Sequence, residues 1–227
     1  MFILADKRIP EKAKYKLEKY GELLFVETYG ITYPAISGHP DIFFCKTPDR
    51  LFIAPNTPKN VKQQLIQKNI RFIEGKTAVG HKYPESAHYN AVVTDNLLVH
   101  NLQQTDAGLS EACKYYETIH VNQGYTRCNL MSLNHNRFIT SDRGIEKTLN
   151  NKGYDVLFVH PEGILLPGFA HGFFGGCCGV NRNRLFMLGS LAYFPDGKKI
   201  WSFAKDLEII ELYDGPLFDG GSLIFMT

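Results

Sequence analysis

The chain has 227 residues, of which 44% are hydrophobic, 13% aromatic and 21% charged, with a formal net charge of +2. That length suits a single domain, residues 1–227, with a sizeable core, and the mixed charges lack the basic stripe that a nucleic-acid surface needs. No apolar run reaches the roughly 18 residues of a membrane span, the N-terminus has no basic region ahead of its brief apolar stretch, and the odd set of cysteines at 45, 113, 128, 177 and 178 points to reduced thiols in the cytoplasm rather than disulfides.

Phe2-Ile3-Leu4 reads as a strand, residues 10–20 as a helix stopped by Gly21, and Leu23-Leu24-Phe25-Val26 as a second strand. The lysines of that helix alternate with Glu11 and Glu18, which describes a solvated face. Next come a strand at 42–44, a turn at Pro48-Asp49-Arg50, a return strand at 51–54, a helix entered through Thr57 and Pro58, and a strand at 70–73. The order then repeats. Residues 90–93, the Asp95-Asn96 turn, Leu97-Leu98-Val99, a helix over 105–116 and a strand at 118–121 form one unit. Residues 129–133, the turn Asn134-His135-Asn136, a return over 137–140, a helix over 144–151 ended by Gly153, and a strand at 154–159 form the next. Another runs from Cys177-Cys178-Gly179-Val180 through the Asn181-Arg182-Asn183 turn, 185–188, a helix over 197–205 and 207–212. The last begins at Ser222 and runs out of chain after one strand.

Asp41, Asn90, Asn129, Cys178 and Ser222 mark the first strand of each unit and recur about every 40–50 residues, the signature of a repeat architecture. The incomplete last unit is completed by the strand, helix and strand at the N-terminus. The fold predicted is an α/β ring of five ββαβ units, in which the N- and C-terminal strands share a blade. Stacking in a circle buries sheet faces that each unit alone would expose. The five markers are expected to converge near the axis.

This unit order resembles the pentein fold, the five-bladed β/α propeller of the guanidine-modifying enzymes: arginine and agmatine deiminases, dimethylarginine dimethylaminohydrolase and the amidinotransferases. A ribosome anti-association factor shares the fold without catalysis. The local match is Leu217-Phe218-Asp219-Gly220-Gly221-Ser222-Leu223-Ile224, similar to the Leu-Asp-Gly-Gly-Asp-Val strand start of dimethylargininase-like penteins. The Gly-Phe-Phe-Gly-Gly-Cys-Cys-Gly run at 172–179 suggests a bacterial branch of the fold. The resemblance implies attack by a Cys thiolate on a guanidinium carbon, proton transfer by a His, and carboxylates gripping the planar cation. The chain departs from that pattern at the last strand start, where Ser222 stands in the nucleophile's place and the cysteines lie one unit earlier.

Candidate chemistry therefore centres on the glycine-rich stretch 160–179. Cys177 and Cys178 are the candidate nucleophiles. On a strand they point to opposite faces, so one faces the site and the other the core. His171 is the candidate proton carrier. Asp41, Asn90, Asn129, Asp219, Ser222, His39 and His88 are the candidate substrate-binding residues, and Glu162 is a further carboxylate. The expected function is a small-molecule hydrolase or amidinotransferase acting on a guanidino or amine group. The alternative is a non-catalytic binding protein of the same fold. No close pair has zinc-site spacing, so neither metal nor cofactor is expected. The competing chemical reading joins Cys128, Cys177 or Cys178, His39, His88 and His171 around an axial ion. The expected partner is a small molecule, with no nucleic acid and no membrane.

Overall fold

The computed structural model describes residues 1–134 and 136–226. His135, the centre of the expected third turn, lies outside the described residues. Among the described residues, strands form five three-stranded sheets, each with a middle strand antiparallel to one neighbour and parallel to the other. Parallel pairing needs a crossover. In every sheet a helix supplies it: Glu11–Leu17, Lys59–Gln67, Ala107–Ala112, Arg143–Asn150 and Gly197–Phe203. The fold is thus built from repeated ββαβ units.

The split unit is present. Strand Ile224–Met226 pairs antiparallel with Phe2–Asp6, with Ile3 opposite Phe225, and Phe2–Asp6 runs parallel to Glu22–Val26. Ile3, Leu4 and Phe225 are buried, so this junction belongs to the core. The first strands of successive sheets contact one another from Phe44–Lys46 through Val92–Val93, Leu130–Asn134 and Cys178–Asn181 to Ile224–Met226. The first and last of these units are joined by Lys46 Nζ, which donates to Phe225 O at 2.6 Å, and by Asp41 N–H, which donates to Gly221 O at 3.1 Å. Among the described residues no helix is long and apolar enough to cross a membrane.

The units differ from expectation where they begin. Asp41 and Asn129 lie on one-turn helices, Pro40–Phe43 and Thr126–Asn129, and Cys177 ends a 3-10 turn, Gly175–Cys177. The strands start only after these turns. Pro40 presets the first of them by fixing φ at a position where its missing N–H costs nothing. Several crossover helices are also shorter than their apolar pattern. That at 107–112 starts late because Asp106 caps it, accepting from Gly108 N and Leu109 N at 2.9 and 3.0 Å. Gly153 takes φ +85° and ends its helix as anticipated.

Candidate active site

A cavity of about 260 Å³ opens between the turns that precede the sheets. Its walls include Tyr33, Tyr125, Phe169 and Phe173; its polar lining is His39, His171, Cys128 and Asp219. No Lys or Arg is among the described residues lining it. Phe169 stands exposed at the rim, its ring 5.8 Å from that of Tyr33. The volume suits a small ligand, below the range typical of drug-sized pockets.

Behind the lining lies a buried polar cluster drawn from four units, which reaches the cavity through Cys128. Cys128 Sγ donates to Asp41 Oδ2 at 3.1 Å, and Ser222 Oγ lies 2.7 Å from the same oxygen. Asn90 braces both: its Nδ2 lies 3.0 Å from Asp41 O and 3.3 Å from Cys128 Sγ, and its Oδ1 accepts from Cys128 N. His39, Asp41 and Cys128 offer ligand atoms within 4.8 Å of one another, all buried. Two buried atoms of this cluster, His39 Nδ1 and Asp41 Oδ1, have no hydrogen-bond partner. Burial pushes the Cys128 thiol well above its ordinary range, and the carboxylates of Asp41 and Asp219 push it further.

Asp219 forms the adjoining wall. It accepts from Phe173 N at 2.9 Å and Gly221 N at 3.1 Å, and its Oδ1 lies 3.9 Å from His39 Nδ1. Burial raises its pKa; His39 opposes that shift, while Asp41 adds to it. The glycines around it make room. A Cβ on Gly176 would overlap Asp219 Oδ1, and one on Gly221, at φ +67°, would overlap His39. Part of the glycine-rich stretch therefore serves close packing against the site.

Of the residues singled out from sequence, His39, Asp41, Asn90, Asp219 and Ser222 come together, and His171 reaches the cavity wall. Asn129 sits behind it, bonded to Tyr125 O and to Ser141 Oγ. His88 is turned to Gln104 O at 2.7 Å, and Glu162 is exposed. Cys177 and Cys178 are fully buried outside the cavity lining, their thiols directed at Phe173 O and Phe174 O, both at 3.3 Å. Burial pushes Cys178 up to about 12 and Cys177 well above the ordinary thiol range. The thiol that lines the cavity is Cys128, which the sequence marked only as a neighbour of Asn129 and a metal candidate. The helical turn Thr126–Asn129, rather than the expected strand, brings it there. A second concavity, about 900 Å³, carries Lys46, Asp95, Arg127 and Arg182. There Arg127 donates to Gly175 O and Cys178 O, tying neighbouring units together.

The profile of a family of unknown function (DUF6873) matches residues 4–224. The chain belongs to that family. No curated protein matches the sequence. Among solved structures, the DDAH of Pseudomonas aeruginosa, a mutant complexed with citrulline, is similar at TM-score 0.56 and 11% identity, over 92% of this chain and 91% of that one. An agmatine deiminase of C. jejuni is similar at TM-score 0.53 and 12% identity, over 92% and 74%. SxtG, an amidinotransferase from Microseira wollei in the saxitoxin biosynthetic pathway, is similar at 0.53 and 11%, over 92% and 87%. At such identities the likeness concerns the fold, which is pentein-like.

Proposed function

We propose that this DUF6873 protein is one domain whose five units close into a five-bladed ring, and that its cavity takes a small guanidino or related amine compound. The observation that carries this reading is the cavity itself: Asp219 lines it, Asp41 lies behind the lining in contact with Cys128, aromatic rings form its walls, and no Lys or Arg is among its described lining. Buried carboxylates favour a cationic occupant, because each is otherwise left without compensation in a low-dielectric site. Aromatic faces add cation–π attraction. The pentein-like neighbours, whose names include agmatine deiminase and amidinotransferase, support the same substrate class.

In the catalytic form of this reading Cys128 is the nucleophile and His39 the proton carrier, in place of Cys177, Cys178 and His171. Cys128 passes its proton to His39 as an S–C bond forms at the guanidinium carbon. His39 returns the proton to the departing nitrogen, which leaves as ammonia or an amine. Water then adds to that carbon, giving one proton to His39 and one to the sulfur as the C–S bond breaks, so that the thiol is restored with a urea product and His39 passes its proton to solvent. Asp41 and Asp219 hold the cation, and its bound charge favours the thiolate that burial disfavours. Ser222 and Asn90 position Asp41 and Cys128, and Asn129 braces Tyr125 of the wall. The non-catalytic alternative is favoured by burial, which pushes the Cys128 thiol well above its ordinary range.

Alkylation by iodoacetamide at pH 8, mapped by mass spectrometry, tests the reading. Cys128 is expected to react ahead of Cys45, Cys177 and Cys178, and agmatine or arginine to slow its reaction at least tenfold. Equal rates at all buried thiols, unaffected by either compound, would refute it.

A further inference from the structure

We infer that His39, Asp41 and Cys128 form a binding site for a divalent ion of the zinc class. Three observations meet here. The ligand atoms lie within 4.8 Å of one another, with Cys128 Sγ and Asp41 Oδ2 already 3.1 Å apart. Ligands sharing one tetrahedral zinc are separated by about 3.3–3.6 Å, so modest movement brings the set to an ion. Second, His39 Nδ1 and Asp41 Oδ1 are buried without a hydrogen-bond partner. Native proteins rarely leave such atoms unsatisfied, and a bound ion is one standard reason. Third, the donor set is one thiolate, one imidazole and one carboxylate. Soft sulfur with imidazole selects zinc or cobalt over magnesium or calcium.

The surroundings fit as well. Asn90 and Ser222 orient Cys128 and Asp41, and Asp219 stands 3.9 Å from the His39 ring; supporting groups of this kind fix ligand geometry. His39 and Cys128 both line the cavity, which gives the ion a way in and leaves a coordination position facing it. Binding breaks the Cys128 S–H bond, releases that proton to solvent and forms a metal–sulfur bond. The inference does not rest on the guanidine reading. A bound ion would hold the same thiolate, so ion and thiol chemistry exclude one another.

The test is anaerobic titration of the full chain with Co2+. One equivalent should produce a thiolate-to-cobalt charge-transfer band in the near ultraviolet, which Zn2+ then displaces. Cys128→Ser should abolish the band, Asp41→Asn and His39→Ala, which remove direct ligands, should weaken binding by at least about tenfold, and Cys177→Ser and Cys178→Ser should leave it intact. Co2+ should also protect Cys128 of the unmodified sequence from iodoacetamide, a readout that needs no folded variant. No band, or a band that survives Cys128→Ser, overturns the inference; absence of cobalt protection at Cys128 does so independently. Because neither arm contains a guanidino compound, a negative result here leaves the agmatine protection experiment to stand or fall by itself.

Discussion

Cys128 Sγ lies 3.1 Å from Asp41 Oδ2, although 87 residues separate the two in the chain. A thiol and a carboxylate from different units are thus buried face to face, with Ser222 on the same oxygen. Such a pairing puts polar groups in a poor solvent, with Asp41 Oδ1 lacking a hydrogen-bond partner and Asp219, whose pKa burial raises, nearby. At Asp41, stability and ligand affinity should therefore pull in opposite directions. Asp41→Asn and Asp219→Asn keep the side-chain shape and remove the carboxylate. Each is expected to weaken agmatine binding at least tenfold, measured by calorimetry; Asp41→Asn is expected to hold or raise the melting temperature, whereas Asp219→Asn lowers it, because an amide leaves one of the two backbone N–H donors without an acceptor. Normal affinity in both variants would show that the carboxylates do not grip a cation.

The close packing of Gly176 against Asp219 gives a second expectation. Any Cβ there meets the Asp219 carboxylate, which is anchored by two backbone N–H groups and cannot move freely. Gly176→Ala is expected to cost about 1–3 kcal/mol, the usual range for overpacking a filled site, and to weaken agmatine binding. Urea unfolding gives the first number. An unchanged midpoint would mean the wall yields more easily than its hydrogen bonds suggest.

His100 predicts a pH dependence away from the cavity. Its ring is buried between Thr105 Oγ1 and Gly124 O, each at 2.8 Å, and burial lowers its pKa from near 6.5 to about 4. The unfolded chain takes up a proton below pH 6.5 that the folded chain refuses until about pH 4. Stability is therefore full above that window, falls as pH drops through it, and flattens below. The loss amounts to roughly 3 kcal/mol. His100→Gln should remove that part of the slope when urea midpoints are compared across pH 4–7. Parallel slopes for the two proteins would exclude His100 as the cause.

The period of the units was legible because turns, caps and apolar runs are local. Pro58, Asp142 and Gly153 announce themselves within a few residues, and the split unit follows from counting round the chain. Asp41, Asn90 and Ser222 were legible as a convergent set for the same reason, being equivalent positions in a repeat. Cys128 was not. Its placement depends on the one-turn helix Thr126–Asn129, too short for periodicity to distinguish from a strand start. Cys177 and Cys178 drew attention by being adjacent amid glycines, yet those glycines answer to Asp219 and Arg127 across other units. Contacts of that separation leave no local pattern in a single sequence.

Product formation separates an enzyme from a cation-binding protein. Purified protein incubated with agmatine, arginine and a panel of small guanidino compounds should release ammonia or an amine and yield the matching urea product, identified by mass spectrometry. Cys128→Ser should abolish turnover, while Cys177→Ser and Cys178→Ser should retain it within a few-fold. Turnover that survives Cys128→Ser would contradict the assignment of the reactive thiol. Binding of these compounds without any product would leave a cation-binding protein in place of an enzyme, and neither binding nor product would contradict the reading of the cavity altogether.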